Sequence, residues 1–282
     1  MSDMGINKQV IARSFGLAAE HYDSVAHFQR WVGNELLKLI PASKNIRLLD
    51  LGTGTGYFLK PLSQNFSAES LVALDLSEGM IRHVVDHVCV DHNVVNSAAP
   101  QNSALSCVVG DADNLPFADG SFDLVFSSLA IQWCSDLEEL FSEVSRVLAP
   151  KGIFACSTLL DGSLHELKVA WQSVDSTQHV NDFYALSDYR RAAQAAKFNL
   201  ECFEQRQHVL QYKQVKELTR ELKMLGAHNM TPERAKGLTG KSKMKRFLET
   251  YERFRTSSGF VTATYEVGFA VLLKSRSKGI KE

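Results

Sequence analysis

Apolar and polar positions recur along this chain with two different periods, and their alternation lays out a fold. Residues 6–40 carry apolar positions at helical spacing in two blocks, Ile6 to Phe15 and, more strongly, Phe28 to Ile40, with Pro41 as the stop. Short apolar runs follow: Ile46 to Leu49, Leu71 to Leu74, Cys107 to Ala112, Phe122 to Ser128 and Ile153 to Thr158. Each reads as a buried strand. Helical stretches separate them, one opening at Tyr57-Phe58-Leu59, one behind Ser77 as N-cap, and an amphipathic one from Leu137 to Leu148. Asp91 to Ser106, rich in Asn, Ser and Ala, reads as a surface loop. This alternation predicts βαβ units and a parallel sheet. Beyond Gly162 the pattern changes to a cover segment (residues 162–186, with Trp171 and Phe183-Tyr184), a helix from Asp188 to Lys197 and a strand from Leu200 to Tyr212. A helical insertion, Val215 to Arg255, precedes a final strand around Val267 to Leu273.

The first strand carries the chemistry. It ends in Asp50 and passes into Leu51-Gly52-Thr53-Gly54-Thr55-Gly56, with glycine at every second position. Glycine reaches positive φ without steric cost and bares backbone N–H groups to a ligand. The helix that follows aims its free amides at the same spot. Dinucleotide enzymes use G-x-G-x-x-G, whereas D-x-G-x-G-x-G resembles the loop of class I S-adenosylmethionine (SAM) methyltransferases. The second strand ends in Asp75, about 20 residues on, where a carboxylate can accept both ribose hydroxyls of either cofactor. The third ends in Asp111-Ala112, an acid for an adenine amino group and a backbone N–H for a ring nitrogen; hydride-transfer enzymes have no need of it. Gln132 and Trp133 follow the fourth strand, and ligands of open α/β sheets bind outside the carboxyl ends of strands. A buried packing role is the other reading of Trp133.

Composition narrows the field. The chain's 282 residues allow one domain, 1–282, with an N-terminal helical flap over 1–41 and the insertion at about 213–258. An apolar content of 45% and a net charge of −1 describe an ordinary globular protein and give no pointer to nucleic acid. The first residues lack an apolar signal core and no apolar run approaches membrane-spanning length, so the expected location is cytoplasmic, away from membranes. Five scattered cysteines, without C-x-x-C, read as reduced and mostly buried thiols, and nine histidines without paired spacing support no metal site. The insertion holds one charge asymmetry: Lys236, Lys241, Lys243, Lys245, Arg246, Arg253 and Arg255 face only Glu249 and Glu252. That is either a solvated helix face or a docking patch for an acidic partner.

With these pieces in order, nearly the whole chain resembles the malonyl-[acyl-carrier protein] O-methyltransferases of biotin biosynthesis. The resemblance rests on Asn7-Lys8-Gln9, Phe15-Gly16-x-Ala18-Ala19-x-His21-Tyr22, Gln29-Arg30, Leu129 to Cys134, Gly162-Ser163-Leu164-x-Glu166-Leu167 and Leu222-Lys223-x-x-Gly226-Ala227. Thr53 and Thr55 stand where many members carry Cys and Pro, so the loop speaks for SAM and not for a substrate. The resemblance implies a Rossmann-like class I fold, mostly parallel, closed by a strand hairpin with an antiparallel last strand and covered by a helical lid. It implies SAM as methyl donor, held by Asp50, Gly52, Thr53, Gly54, Gly56, Asp75, Leu76, Met80, Asp111 and Ala112, and no metal. It also implies a flap at Ala18 to Asp23 with Tyr22 and His21 facing the reacting methyl beside Gln132 and Trp133; a plain helix-capping linker is the alternative. The acceptor would be malonyl-acyl-carrier protein (ACP), acidic and docked by Lys241, Lys243, Lys245 and Arg246. A methyltransferase of a free small acid or quinone precursor, and a non-catalytic SAM-binding adaptor, are the competing functions.

Overall fold

The computed structural model describes residues 7–89, 104–227 and 240–275. The chain begins with α1 (Lys8–Tyr22), whose N-cap Asn7 accepts from the Val10 N–H, and α2 (His27–Leu39). It continues through β1 (Arg47–Leu51), α3 (Leu59–Phe66), β2 (Ser70–Asp75) and α4 (Glu78–His83), the last capped by Ser77 and prolonged by a π-helical turn to Val88. Next come β3 (Ala104–Val109), β4 (Phe122–Ser128), α5 (Leu137–Val147) and β5 (Leu148–Leu159). The last third supplies α6 (His165–Gln172), α7 (Leu186–Ala195), β6 (Phe198–Tyr212), α8 (Val215–Met224), α9 (Lys241–Tyr251) and β7 (Val261–Lys274).

Strands pair in the order β3-β2-β1-β4-β5-β7-β6. The first five are parallel, and β7 runs antiparallel to both neighbours. The α/β, mostly parallel architecture with an antiparallel closing strand is therefore the one expected. Strand order reverses between β1 and β4, which opens a crevice at their carboxyl ends. Leu48 and Leu49 point to opposite faces of the sheet and enter two separate cores. One core joins α2 and α3 to α6, α8 and α9; the other takes α5 and α7. In α5 the buried set Leu137, Leu140, Phe141, Val144 and Val147 follows helical spacing, each side chain stabilising by about 1.5–3 kcal/mol on burial.

Several boundaries move. The expected loop at Asp91–Ser106 gives up its last three residues to β3, and residues 90–103 lie outside the described ones. Strand β3 stops at Val109, so Asp111 sits in a bridge with Asn114 and not in the strand. Strand β7 starts at Val261, six residues early, because Val261-Thr262-Ala263-Thr264 pairs with the far end of β6. Helix α1 runs through Tyr22, so most of the presumed linker is helix. Cys134 and Cys156 are buried thiols, Cys107 and Cys202 half-buried, and Cys89 exposed. Among the described residues no helix is long and apolar enough to cross a membrane.

Helix α1 reaches the crevice by crossing α4 backbone to backbone. A Cβ on Gly79 would lie 2.6 Å from the Gly16 Cα, and one on Gly16 would lie 2.9 Å from the Ser77 Oγ. Only hydrogen fits on either side. Gly79→Ala is expected to lower the unfolding free energy by about 1–3 kcal/mol, the cost of forcing bulk into a packed contact. Urea denaturation measures it; a midpoint equal to wild type would show that the helices separate freely.

Candidate functional site

The crevice floor is the turn after β1. Gly52, Gly54 and Gly56 adopt φ of +77°, +56° and +81°, each in the range that favours glycine. The Gly52 and Thr53 N–H groups donate to the Leu74 carbonyl at 2.8 and 3.0 Å. Gly54 N–H donates to Asp75 Oδ2 at 2.9 Å, and Ser77 N–H to Asp75 Oδ1 at 2.8 Å. The loop is thus stitched to the end of β2. A Cβ on Gly52 would strike the Ala130 Cβ at 2.2 Å, whereas Gly54 faces open space. Gly56 lines no described cavity; a side chain there would press on Leu59, Val84 and Val88. Its lack of a side chain lets the turn pack closely against these residues.

A cleft enclosing about 770 Å³ of empty space lies on this floor. Gly52, Gly54, Asp75, Leu76, Met80, Asp111, Ala112 and Trp133 line it together, and α1 adds Lys8, Phe15 and Tyr22. Burial pushes the Asp75 carboxyl up, against the pull of its two backbone donors. Asp111 is already occupied: Lys8 Nζ donates to both of its oxygens at 2.7 Å and also to Asp113 Oδ2 at 2.5 Å. Lys8 remains charged, its pKa raised by those two acids in spite of partial burial. Asp50 and Thr53 fall in an adjoining cavity of about 460 Å³, with Asp23 and Arg30. Thr53 Oγ1 donates to Asp50 Oδ2 at 2.7 Å, and burial pushes the Asp50 carboxyl up to about 7. The Arg30 guanidinium lies 3.2 Å from Asp23 and over the Tyr57 ring, with its buried Nε unpartnered.

A second large cavity, about 990 Å³, adjoins the first and shares Phe15, Tyr22, Leu129 and Trp133 with it. Phe15 packs edge-on against Trp133, ring centres 5.4 Å apart. Tyr22 lines all three cavities, and burial with the nearby Asp75 and Asp23 carboxylates pushes its hydroxyl far up, so it stays an O–H donor. Gln132 belongs to the second cavity only; its Nε2 donates to the Leu129 carbonyl at 2.9 Å. His21 is exposed and lines none of the three, because neighbours on a helix diverge by about 100° and Tyr22 takes the inward place. On α9, Lys243 is paired with Asp175 at 2.9 Å and Lys245 with Glu249 at 3.7 Å. Lys241 and Arg246 are exposed and form no ion pair with a described residue, and Lys236 lies outside the described residues.

Comparison with known proteins now bears on this geometry. A family described as "Methyltransferase domain" matches residues 49–156, which run from β1 through β5. The "Malonyl-[acyl-carrier protein] O-methyltransferase" of Hahella chejuensis is 40% identical over 266 residues, covering 94% of this chain and 90% of that protein. The chain belongs to this methyltransferase family. Another member, the "Biotin biosynthesis bifunctional protein BioHC" of Cellvibrio japonicus, is 43% identical over 95% of this chain, which spans only 51% of that longer protein. Among solved structures, the YcgJ protein of Bacillus subtilis shares the fold with a TM-score of 0.62 at 18% identity, covering 88% of this chain and all (100%) of that one.

Methyltransferases of this family use SAM, and the cleft fits it. The bare backbone at Gly54 leaves room where a side chain would intrude, Asp75 presents a carboxylate beside it, and Leu76, Met80 and Ala112 give an apolar wall. Lys8, Phe15, Leu129 and Arg30 were not picked out as site residues from sequence. For Lys8 the signal was present in the family stretch Asn7-Lys8-Gln9, but no spacing rule ties it to Asp111. Asp75→Ala is expected to weaken SAM binding by about 1.5–3 kcal/mol, the range for bonds to a charged acceptor. Isothermal titration calorimetry reads it, and an unchanged Kd would remove Asp75 from the ribose role.

Proposed function

We propose that this chain methylates the free carboxylate of malonyl-ACP, giving the methyl ester from which the pimeloyl chain of biotin is built. The observation that carries the reading is the pair of large cavities meeting across Tyr22 and Trp133, one suited to SAM and the other lined mostly by apolar and aromatic side chains. Bound SAM supplies an electrophilic methyl: an O–CH3 bond forms as the S–CH3 bond breaks, the electron pair stays on sulfur, and no proton moves. A carboxylate is already ionised at neutral pH and needs no general base. Tyr22, whose hydroxyl holds its proton, can then serve as a hydrogen-bond donor to the acceptor without acting as a base. The work left to the protein is alignment and exclusion of water.

In this reading Asp75 receives the ribose, Gly52 and Gly54 let the cofactor rest on backbone, and Leu76, Met80 and Ala112 flank the base. Asp111 takes the edge of the base while Lys8 fixes its orientation. Asp50 and Thr53 stand toward the amino-acid end of the cofactor with Arg30. Tyr22 donates its hydroxyl at the junction, and Gln132 and Trp133 form the acceptor side. His21, exposed and outside the three cavities, is given no role in this reading. The lid formed by α6, α8 and α9 carries the docking surface for the carrier protein.

Production of radiolabelled methyl ester from labelled SAM and malonyl-ACP, and not from free short-chain acids, is the expected result. Transfer to free acids alone would favour a small-acid enzyme, and SAM binding without transfer to any thioester would favour an adaptor. Rescue of a biotin-requiring strain lacking this methyltransferase provides the cellular counterpart. Of the four basic α9 positions, Lys241 and Arg246 are the two not engaged within the described chain. Lys241→Glu with Arg246→Glu should raise KM for malonyl-ACP at low salt, and the difference should shrink toward about 0.15 M salt as screening sets in. An unchanged KM at low salt would leave them a solvated helix face.

Asp50 adds a pH signature. Its carboxyl is held near 7 in the free protein, so a cofactor ammonium placed beside it favours the ionised form. SAM affinity should therefore rise as pH climbs toward about 7 and level off above it. Titrations across this window check the trend, and Asp50→Asn should flatten it.

A further inference from the structure

The second cavity has an unusual wall for a site that takes an anion. Of its described lining residues none is Lys, Arg, Asp or Glu, and His179 is tied to Asp175 at 2.8 Å while its ring stacks on Trp171. An ionised carboxylate entering such a space loses its hydration and needs hydrogen-bond donors in return. Gln132 donates to the Leu129 carbonyl and Thr219 to the Lys216 carbonyl. Gln29 is different. It lines both this cavity and the small one beside the glycine turn, and its Oε1 is buried without a hydrogen-bond partner. A buried amide oxygen left unpaired costs about 1–3 kcal/mol, so no hydrogen bond to Oε1 holds the carboxamide in this orientation.

We infer that the Gln29 carboxamide and the Tyr22 hydroxyl together form a cation-free subsite for the carboxylate of the acyl substrate. Tyr22 borders all three cavities and Gln29 borders two of them, so both stand where the cofactor side meets the acceptor side. Gln29 occupies the first turn of α2, directly after Phe28, which packs against Tyr265 with ring centres 4.3 Å apart and fixes the start of the helix. With no partner to hold Oε1, the amide can turn over and present its N–H groups to the cavity. Neutral donors suit a nucleophile. A guanidinium would bind the carboxylate more tightly and stabilise the ground state, drawing charge from the oxygen that must attack. Arg30, the next residue, is kept to the cofactor-side cavity by Asp23 and Tyr57.

This inference rests on the carboxyl-methylation reading, so the assay begins with the wild-type chain, SAM and malonyl-ACP. No methyl ester from the wild type overturns both statements. Given wild-type turnover, Gln29→Glu should raise KM for malonyl-ACP by about tenfold or more, because a second carboxylate opposes the first. Gln29→Leu should raise it less, by roughly three- to tenfold, through loss of the donor alone. The SAM Kd of both variants should stay within about twofold of wild type, which also reports an intact fold. Acetyl-ACP, which offers the same arm without the carboxylate, should inhibit variants and wild type equally. A malonyl-ACP KM unchanged in both variants overturns the inference alone. So does a loss shared by acetyl-ACP, which would make Gln29 a general wall residue, or a parallel loss of SAM affinity, which would assign it to the cofactor.

Discussion

Everything at the crevice depends on the seam between the first two strands. The loop after β1 could follow many paths with three glycines in five residues, and glycine gives up more backbone entropy on ordering than any other residue. What fixes the path is that its amides are spent on the end of β2, two on the Leu74 carbonyl and one on Asp75. Asp75 is thereby oriented by the loop it orients, with its second oxygen held by Ser77 N–H at the start of α4. The seam joins β1, β2 and α4 through the chain's own hydrogen bonds, which hold the floor of the cleft in one shape.

Around that seam the chain divides labour between its ends. The parallel strands β1 to β5 make a floor shared with the wider methyltransferase-domain family, whose match stops at residue 156. Much of the wall around the two cavities comes from outside that span, beside Leu129, Gln132 and Trp133 within it. Helices α1 and α2 bring Lys8, Phe15, Tyr22 and Gln29, while α6, α8 and the segment before α7 form the far wall of the second cavity. A fold neighbour at 18% identity can thus share the sheet without sharing the acceptor.

The sheet was legible in the sequence because its signals are local. Apolar runs mark buried strands, and an acid at the end of each of the first two marks the ligand edge, so the parallel order and the glycine turn followed directly. Boundaries failed where local character misleads. Val261-Thr262-Ala263-Thr264 follows a Ser-Ser-Gly turn and looks like loop, yet fourteen-residue pairing with β6 makes it strand. The site was half legible. Gly52, Gly54, Asp75, Leu76, Met80, Asp111, Ala112, Tyr22 and Trp133 do converge on one cleft. Gly56 and His21, chosen by motif position, do not line that cleft: Gly56 packs near Leu59, Val84 and Val88, and His21 is exposed. Lys8 with Asp111, 103 positions apart, is a long-range pairing that no short motif encodes.

The crossing of α1 and α4 has a genetic consequence. The Gly16 backbone fills the space that a side chain on Gly79 would need. A clash elsewhere in a protein core is commonly relieved by trimming the opposing residue, but opposite Gly79 that residue is already the smallest available. Second-site suppressors of a substitution at Gly79 cannot arise at Gly16; they must come from changes that let the whole helix shift. Because that helix also delivers Lys8, Phe15 and Tyr22 to the cleft, any such shift moves the wall of the cleft. Drift at two positions that do not line the cleft is thereby tied to the residues that do.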